Sequence, residues 1–406
     1  METSFSIIYF LLPLKSLHNA KFDTMQFKDI VGQLAVKQKL IKSVRDDRIP
    51  HAQLFVGHEG TGKLALAIAY AQYIACTDKK DDDSCGVCPS CHKFQKLIHP
   101  DLHFVFPVNE KKKPDDSDDD SPSGKGSDAH IQLWRETILQ SPYINESEWY
   151  SLLGLENKVG IISTSEGSEV IKKISLKSFE AEYKTMIIWL PERMNQYAAN
   201  KLLKLIEEPP AKTVFLLVTE NPENIIGTIR SRTQIIKVPP IAREDIATEL
   251  VNRYQIPAPK AQDVSRVANG NFRVAYSLAH SDEASPHFEM LKDLLRSCYS
   301  NNVLALLEWV DKVARLGREN QRELISYSLR VIRESFMMNL GLNDIAYIAG
   351  EEEKFSKNFS PYINGSNVVH IYNELNKTIE HIMRYGNAQI VLTDMTMKLV
   401  KLINKK

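Results

Sequence analysis

The most constraining feature of this chain is the heptad Gly57-His58-Glu59-Gly60-Thr61-Gly62-Lys63, which fits G-x4-G-K. An apolar strand-like run, Ala52–Val56, leads into it, and a strongly helical stretch, LALAIAYAQYIA, comes after. In that context the pattern has a mechanism. Gly57, Gly60 and Gly62 let backbone N–H groups close around a phosphate, the helix N-terminus adds positive potential, and Lys63 supplies a charge. One position departs from the pattern. The residue after the lysine is normally Ser or Thr, whose hydroxyl ligates Mg²⁺; here it is Leu64, which cannot bind a hard cation.

The first element reads from MQFKDIVGQLAVKQKL, where apolar positions recur at helical spacing from Ile30 to Leu40. Further strands are expected at His103–Val108, Met186–Leu190, Thr213–Thr219 and Gln234–Val238. Asn195–Glu208 reads as a helix with Ala198, Leu202, Leu205 and Ile206 on one face, stopped by Pro209-Pro210. Continuous apolar strands alternating with helices imply an α/β core with a parallel sheet covered on both faces. A hydrolysing phosphate-loop protein needs an Asp, usually followed by Glu, at the end of a buried strand. The strand Met186–Leu190 ends instead in Trp189-Leu190, then Pro191, with Glu192 just beyond; the sequence leaves open whether Glu192 reaches a phosphate. Two Mg²⁺ requirements are thus missing, and nucleotide binding by the loop alone stays open.

Beyond Ile241 the strand signals vanish. Residues 241–284 read as short helices and 285–406 as long amphipathic ones, such as Ala388–Ile403. With roughly 150 residues per domain, 406 residues fit an α/β core (25–240), a small helical domain and a larger helical domain. Residues 109–128 combine charge runs with Pro, Gly and Ser and read as a disordered acidic surface insert, with a helical segment near 129–157 after it. Residues 5–14 are apolar, but ten residues cannot span a ~30 Å hydrocarbon core. No Lys or Arg precedes them, so a secretory signal fits poorly. Residues 1–24 read as an extension from an upstream start codon, with Met25 as the natural start, or else as an added helix or strand.

Hydrophobic residues make up 43% and charged residues 25%, which excludes a wholly disordered chain and a multi-span membrane protein. The 51 basic and 51 acidic residues cancel. Any nucleic-acid role must therefore come from a local patch or from partner subunits. Four of five cysteines are clustered as Cys76-x8-Cys85-x2-Cys88-x2-Cys91, which points to a metal in a reducing compartment. Four thiolates suit tetrahedral Zn²⁺ and close the site, leaving His92 and His99 as spare donors. The run shares the start of an iron–sulfur pattern, but no C-x3-C-P completion is present. Cys298 reads as a core residue. Arg232, in Ser231-Arg232-Thr233, is either a surface salt-bridge residue or a finger that stabilises phosphate charge across a subunit boundary. Arg273, which opens a helix in ANGNFRVAYSLA, is equally ambiguous alone.

Together these segments resemble the delta-prime family of bacterial DNA polymerase III clamp-loader subunits, which are AAA+ proteins. The resemblance runs from about Met25 to Val274. RIPHAQLFVGHEGTGK is similar to the family's phosphate-loop segment, the Cys76–Cys91 spacing to its zinc module, and HPDLH at 99–103 to the stretch after that module. AANKLLKLIEEPP at 198–210 resembles the hallmark helix after the second acidic motif. VTENPENIIGTIRSRTQ resembles the sensor 1 strand, led by Thr219, running into the Ser-Arg-Cys motif with Thr233 in place of cysteine and Arg232 at the finger position. GNFRVA resembles the sensor 2 segment, with Arg273 its arginine. The acidic insert and the segment near 129–157 look additional to the shortest members.

The resemblance implies a cytoplasmic stator subunit without its own ATPase, working inside a DNA-directed DNA polymerase holoenzyme. Its lid would be 241–284 and its oligomerising collar 285–406. Its partners would be gamma/tau and delta subunits and, indirectly, the sliding clamp and primed DNA, with no membrane. Arg232 would act in trans, Zn²⁺ would sit on Cys76, Cys85, Cys88 and Cys91, and Gly57, Gly60, Gly62, Lys63, Thr219 and Arg273 would form a degenerate ATP site. The alternative is an ATP-hydrolysing AAA+ loader subunit or helicase-related motor, which Leu64 and the missing acids oppose. A zinc-dependent DNA-binding module lacks the net positive charge and a recognition helix beside the cysteines.

Overall fold

The computed structural model describes residues 25–109, 126–155, 159–280, 286–342, 350–384 and 386–404. The expected extension 1–24 and most of the insert 109–128 lie outside these residues. Five parallel strands form one sheet: β1 (Ala52–Val56), β2 (Leu102–Val105), β3 (Lys184–Trp189), β4 (Thr213–Thr219) and β5 (Gln234–Lys237), in the order β2-β3-β4-β1-β5. Strands β3 and β4 are buried along their whole length, as continuous apolar runs in a two-faced sheet must be. The register sets Val56 at the end of β1 beside Thr219 at the end of β4. In an open parallel sheet, ligands bind beyond the carboxyl ends of the strands, where the strand order reverses. The phosphate loop leaves β1 at that end.

The helices of this part are α1 (Leu34–Arg45), α2 (Lys63–Ala75), α3 (Pro89–Gln95), α4 (Ile131–Gln140), α5 (Glu146–Leu152), α6 (Thr164–Ser175), α7 (Gln196–Glu207), α8 (Gly227–Arg230) and α9 (Arg243–Asn252). Every residue of α2 is buried, which its all-round apolar sequence demands. The side chain of Asn195 caps α7 by accepting from the Ala198 N–H at 2.8 Å.

Several boundaries differ from expectation, and three of the differences have a physical cause. β2 ends at Val105 rather than Val108, because Pro107 cannot donate to a ladder; Val108 instead forms an isolated bridge to Ile161. β3 begins at Lys184 rather than Met186. Its buried ammonium donates to the Lys173 and Ile174 carbonyls at the end of α6, so a charge fits inside the sheet. The insert stops sooner than expected: Gly126 and Ser127 are buried in a 3-10 turn, Gly126–His130, where Ser127 N donates to Glu166 at 2.7 Å.

The chain divides into two compact units, Met1–Ala258 with Asn269–Ser277 and Pro259–Ala268 with Leu278–Lys406. The short helices α10 (Ala258–Ala268) and α11 (Phe272–His280) are thus shared out, α10 to the second unit and most of α11 to the first. The second unit continues as α12 (Pro286–Tyr299), α13 (Val303–Ala314), α14 (Arg318–Asn339), α15 (Gly350–Phe359), α16 (Val368–Met383) and α17 (Ala388–Ile403). Its core is a helical cluster including Leu294, Leu306, Leu324, Leu375, Leu392 and Leu399. Trp309 is locked in place by donating its indole N–H to the Met290 carbonyl at 2.8 Å.

Candidate functional site

At the phosphate loop, Gly60 and Gly62 adopt φ of +70° and +82°, a region open to glycine without strain. The loop is not an open cradle. Gly60, Thr61, Gly62, Lys63 and Leu64 are all buried. A Cβ on Gly60 would stand 1.8 Å from Asn271 Oδ1, and one on Gly62 would stand 3.2 Å from the Tyr143 ring. Phe272 N donates to the Gly60 carbonyl at 3.0 Å, and the Phe272 ring meets that of Tyr143 at 4.9 Å between centroids.

The Lys63 ammonium donates to the His58 carbonyl at 2.6 Å and pairs with Glu220 at 3.3 Å. Burial lowers its affinity for a proton, while Glu220 holds charge on it. Burial likewise pushes the Glu220 and Glu192 carboxyls up, with Lys63 opposing the rise at Glu220. Arg273 pairs with Glu59 at 2.9 Å and with Glu148 at 2.8 Å. Glu59 also accepts from the Asn145 amide at 3.1 Å. The expected residues Gly57, Gly60, Gly62, Lys63, Thr219 and Arg273 thus converge on one end of the sheet, together with Glu192 and with Glu59, Glu148 and Glu220, three carboxylates not singled out from sequence.

Trp189 ends β3 and Leu190 follows it, both buried. The Trp189 ring packs on Trp134 at 5.1 Å, and Trp134 stacks on Phe106 at 4.3 Å and meets Trp149 edge-on at 5.1 Å. The end of β3, where the sequence offers no acid, is thus packed in an aromatic cluster to which α4 and α5 contribute Trp134 and Trp149. Glu192 lies close enough to feel Thr219 and Lys63, but one of its carboxylate oxygens is buried without a hydrogen-bond partner.

The four cysteines form a separate centre. Their Sγ atoms lie within 4.8 Å of one another, and Cys85 and Cys91 are 3.9 Å apart. Tetrahedral Zn–S bonds of ~2.3 Å put sulfurs about 3.8 Å apart, so the donor set fits a four-thiolate ion. Backbone N–H groups already point at the sulfurs: Cys85 N to Cys76, Cys88 N to Cys85 and Cys91 N to Cys88, at 3.3 to 3.4 Å. The module is tied to the start of the fold, where Asp83 accepts from the N–H groups of Phe27 and Lys28. Cys298 is buried in the helical core of the second unit. Arg232 lies just after α8, pairs with Glu207 of α7 at 2.7 Å and donates to the Thr228 carbonyl at 3.0 Å.

The sequence model of the family described as "DNA polymerase III, delta subunit" matches residues 32–242, half of the chain. This chain belongs to that family. DNA polymerase III subunit delta' of Bacillus subtilis is 29% identical over 251 residues, covering 62% of this chain and 60% of the relative. Subunit delta' of Escherichia coli is 22% identical over 368 residues, covering 89% of this chain and 92% of the relative. DNA polymerase III subunit tau of Salmonella typhimurium is 26% identical over 270 residues, covering 65% of this chain but only 34% of tau. Among the described residues, no helix is long and apolar enough to cross a membrane.

Proposed function

We propose that this chain is a delta-prime-like stator of the DNA polymerase III clamp loader, helping ATP-driven loading of the sliding clamp onto primed DNA in the cytoplasm. The observation that carries the stator reading is Trp189, held in an aromatic cluster where a motor subunit needs a metal-binding carboxylate. Leu64 removes the Mg²⁺ hydroxyl from the other side. These two positions oppose the alternative, an ATP-hydrolysing loader subunit or helicase-related motor. The family match and the near full-length E. coli relative support the loader setting.

In this reading gamma/tau and delta are the direct partners. Residues 241–284 serve as the lid and 285–406 as the share of a collar. Arg232, exposed beside α7, reaches a neighbour's ATP, and its guanidinium fork answers phosphate charge developing in transfer. Cys76, Cys85, Cys88 and Cys91 hold one Zn²⁺, which four thiolates make structural and closed to substrate. Thr219 sits at the end of β4 as part of the degenerate site. The deciding experiment is co-purification of the tagged chain from its own cells with mass spectrometry. Recovery of gamma/tau and delta is the expected result; a solitary chain would overturn the stator reading.

A further inference from the structure

The two cations beside the phosphate loop meet carboxylates of this same chain: Lys63 faces Glu220, and Arg273 is shared by Glu59 and Glu148. The segment that brings Glu148 there is pinned at several points. Asn145 and Glu148 form a reciprocal cap at the start of α5, at 2.8 and 3.3 Å. Arg193 grips Glu146 with two hydrogen bonds, at 2.6 and 2.9 Å. The Tyr143 hydroxyl accepts from Val31 N at 3.1 Å, and the Trp149 indole donates to the Pro107 carbonyl at 2.9 Å. Between these anchors the Tyr143 ring covers Gly62 and the Asn145 amide holds Glu59.

We infer that the segment Tyr143–Glu148, with Glu59 and Glu220, takes the place of a nucleotide in this loop, supplying Lys63 and Arg273 with in-chain carboxylates where a phosphate loop would offer them a polyphosphate. Electrostatics and sterics agree on the consequence. A polyphosphate entering here would approach Glu59, Glu192 and Glu220, all within Coulombic reach of Lys63, and like charges in a buried setting repel strongly. It would also have to part Arg273 from two carboxylates and lift Tyr143 from Gly62. The loop becomes an internal strut. It ties the Asn271–Arg273 turn to the loop after β1 through an ion pair that needs no nucleotide. Because its assay uses the isolated full-length chain, the strut would survive failure of the stator reading.

The test is equilibrium binding of a fluorescent ATP analogue and of inorganic triphosphate, each with Mg²⁺. The wild-type chain should show no saturable binding below ~1 mM. The double variant Glu59→Gln, Glu148→Gln keeps size and hydrogen bonding but removes the competing charge. It should bind triphosphate about tenfold or more tightly than wild type, and that gain should vanish on adding Lys63→Ala. Micromolar, Lys63-dependent binding by wild type would overturn the inference, and so would unchanged affinity in a folded double variant. Should the double variant fail to fold, hydrogen exchange in wild type decides. Amides of residues 143–149 should exchange at the same rate with and without Mg-ATP, and nucleotide-induced deprotection or protection there would equally overturn it.

Discussion

Arg232→Ala separates a surface residue from one that works on a neighbouring subunit, because the two roles differ greatly in size. Within this chain Arg232 pairs with Glu207 at 2.7 Å, with side-chain exposures of 40% and 39%. Exposed pairs of that kind contribute ~0.2–1 kcal/mol. For a large chain, that corresponds to a melting shift of roughly 2–4 °C at most. A guanidinium completing a phosphoryl-transfer site supplies ~10³–10⁵ in rate at that site. At about 1.36 kcal/mol per tenfold, this is ~4–7 kcal/mol of transition-state stabilisation, several times what the internal ion pair can account for. The assay is clamp- and DNA-stimulated ATPase of a loader reconstituted with mutant chain, beside its melting curve. We expect assembly intact, the melting point nearly unchanged and turnover reduced. The reduction should be partial, because other subunit boundaries keep their own arginines. Arg232→Lys should rescue poorly, since lysine keeps the charge but loses the planar fork. Arg230→Ala is the matched control, because Arg230, at the end of α8 and two residues before Arg232, makes a comparable ion pair to Glu223. Equal turnover for wild type, Arg232→Ala and Arg232→Lys would refute the assignment and leave Arg232 as a surface residue.

The two centres and the sheet carry three more expected outcomes. Elemental analysis should find one zinc per chain, and Cys85→Ser should lower both zinc content and thermal stability; iron with visible absorbance would contradict the donor-set argument. The isolated chain should hydrolyse ATP no faster than Lys63→Ala, and Leu64→Thr alone should create no activity; Mg²⁺-dependent turnover lost with Lys63 would count against both expectations. Burial depresses the His103 imidazole from 6.5 to about 4, with Lys173 and Lys184 adding to the effect. The unfolded chain therefore binds the extra proton first, and stability contributed by neutral His103 is present above pH 6.5 and lost as the pH falls toward 4. Denaturant midpoints measured across that window should decline in wild type and decline less in His103→Leu.

The parallel α/β core was legible in the sequence because buried strands in a covered sheet leave uninterrupted apolar runs. β1 and β4 begin and end where Ala52–Val56 and Thr213–Thr219 predict. β3 was less legible, since Lys184 reads as a surface residue until the helix-end carbonyls that receive its ammonium are in place. The four cysteines were legible because they are close in sequence as well as in space. The carboxylates at the loop were not. Glu59 and Arg273 are 214 residues apart, and Glu59 and Asn145 are 86 apart. Neither spacing leaves a periodic or local signature, and a glutamate inside a phosphate loop looks like any other variable position. The one available hint was the segment near 129–157, additional in length and rich in tryptophan, tyrosine and acids, which had no assigned purpose.

That segment also bears on the proposed absence of Mg²⁺ chemistry. Leu64 and Trp189 look in sequence like two independent departures, each removing one metal ligand. In the fold Trp189 packs against Trp134 of α4, which in turn meets Trp149 of α5, and the same α5 delivers Glu148 to Arg273. Restoring an acid at Trp189 would place a carboxylate against buried indoles and opposite a strut already supplied with negative charge. Such a carboxylate would take up a proton or disrupt the aromatic packing before it could bind a metal ion. Leu64 is likewise 3% exposed, at the start of a helix buried on every side. Trp189 is therefore linked through α4 and α5 to the ion pairs at the loop. On the proposed stator reading, gaining hydrolysis would require removing that segment along with Leu64 and Trp189, because a metal ligand introduced at either position alone would meet a site that in-chain carboxylates and aromatic rings already occupy.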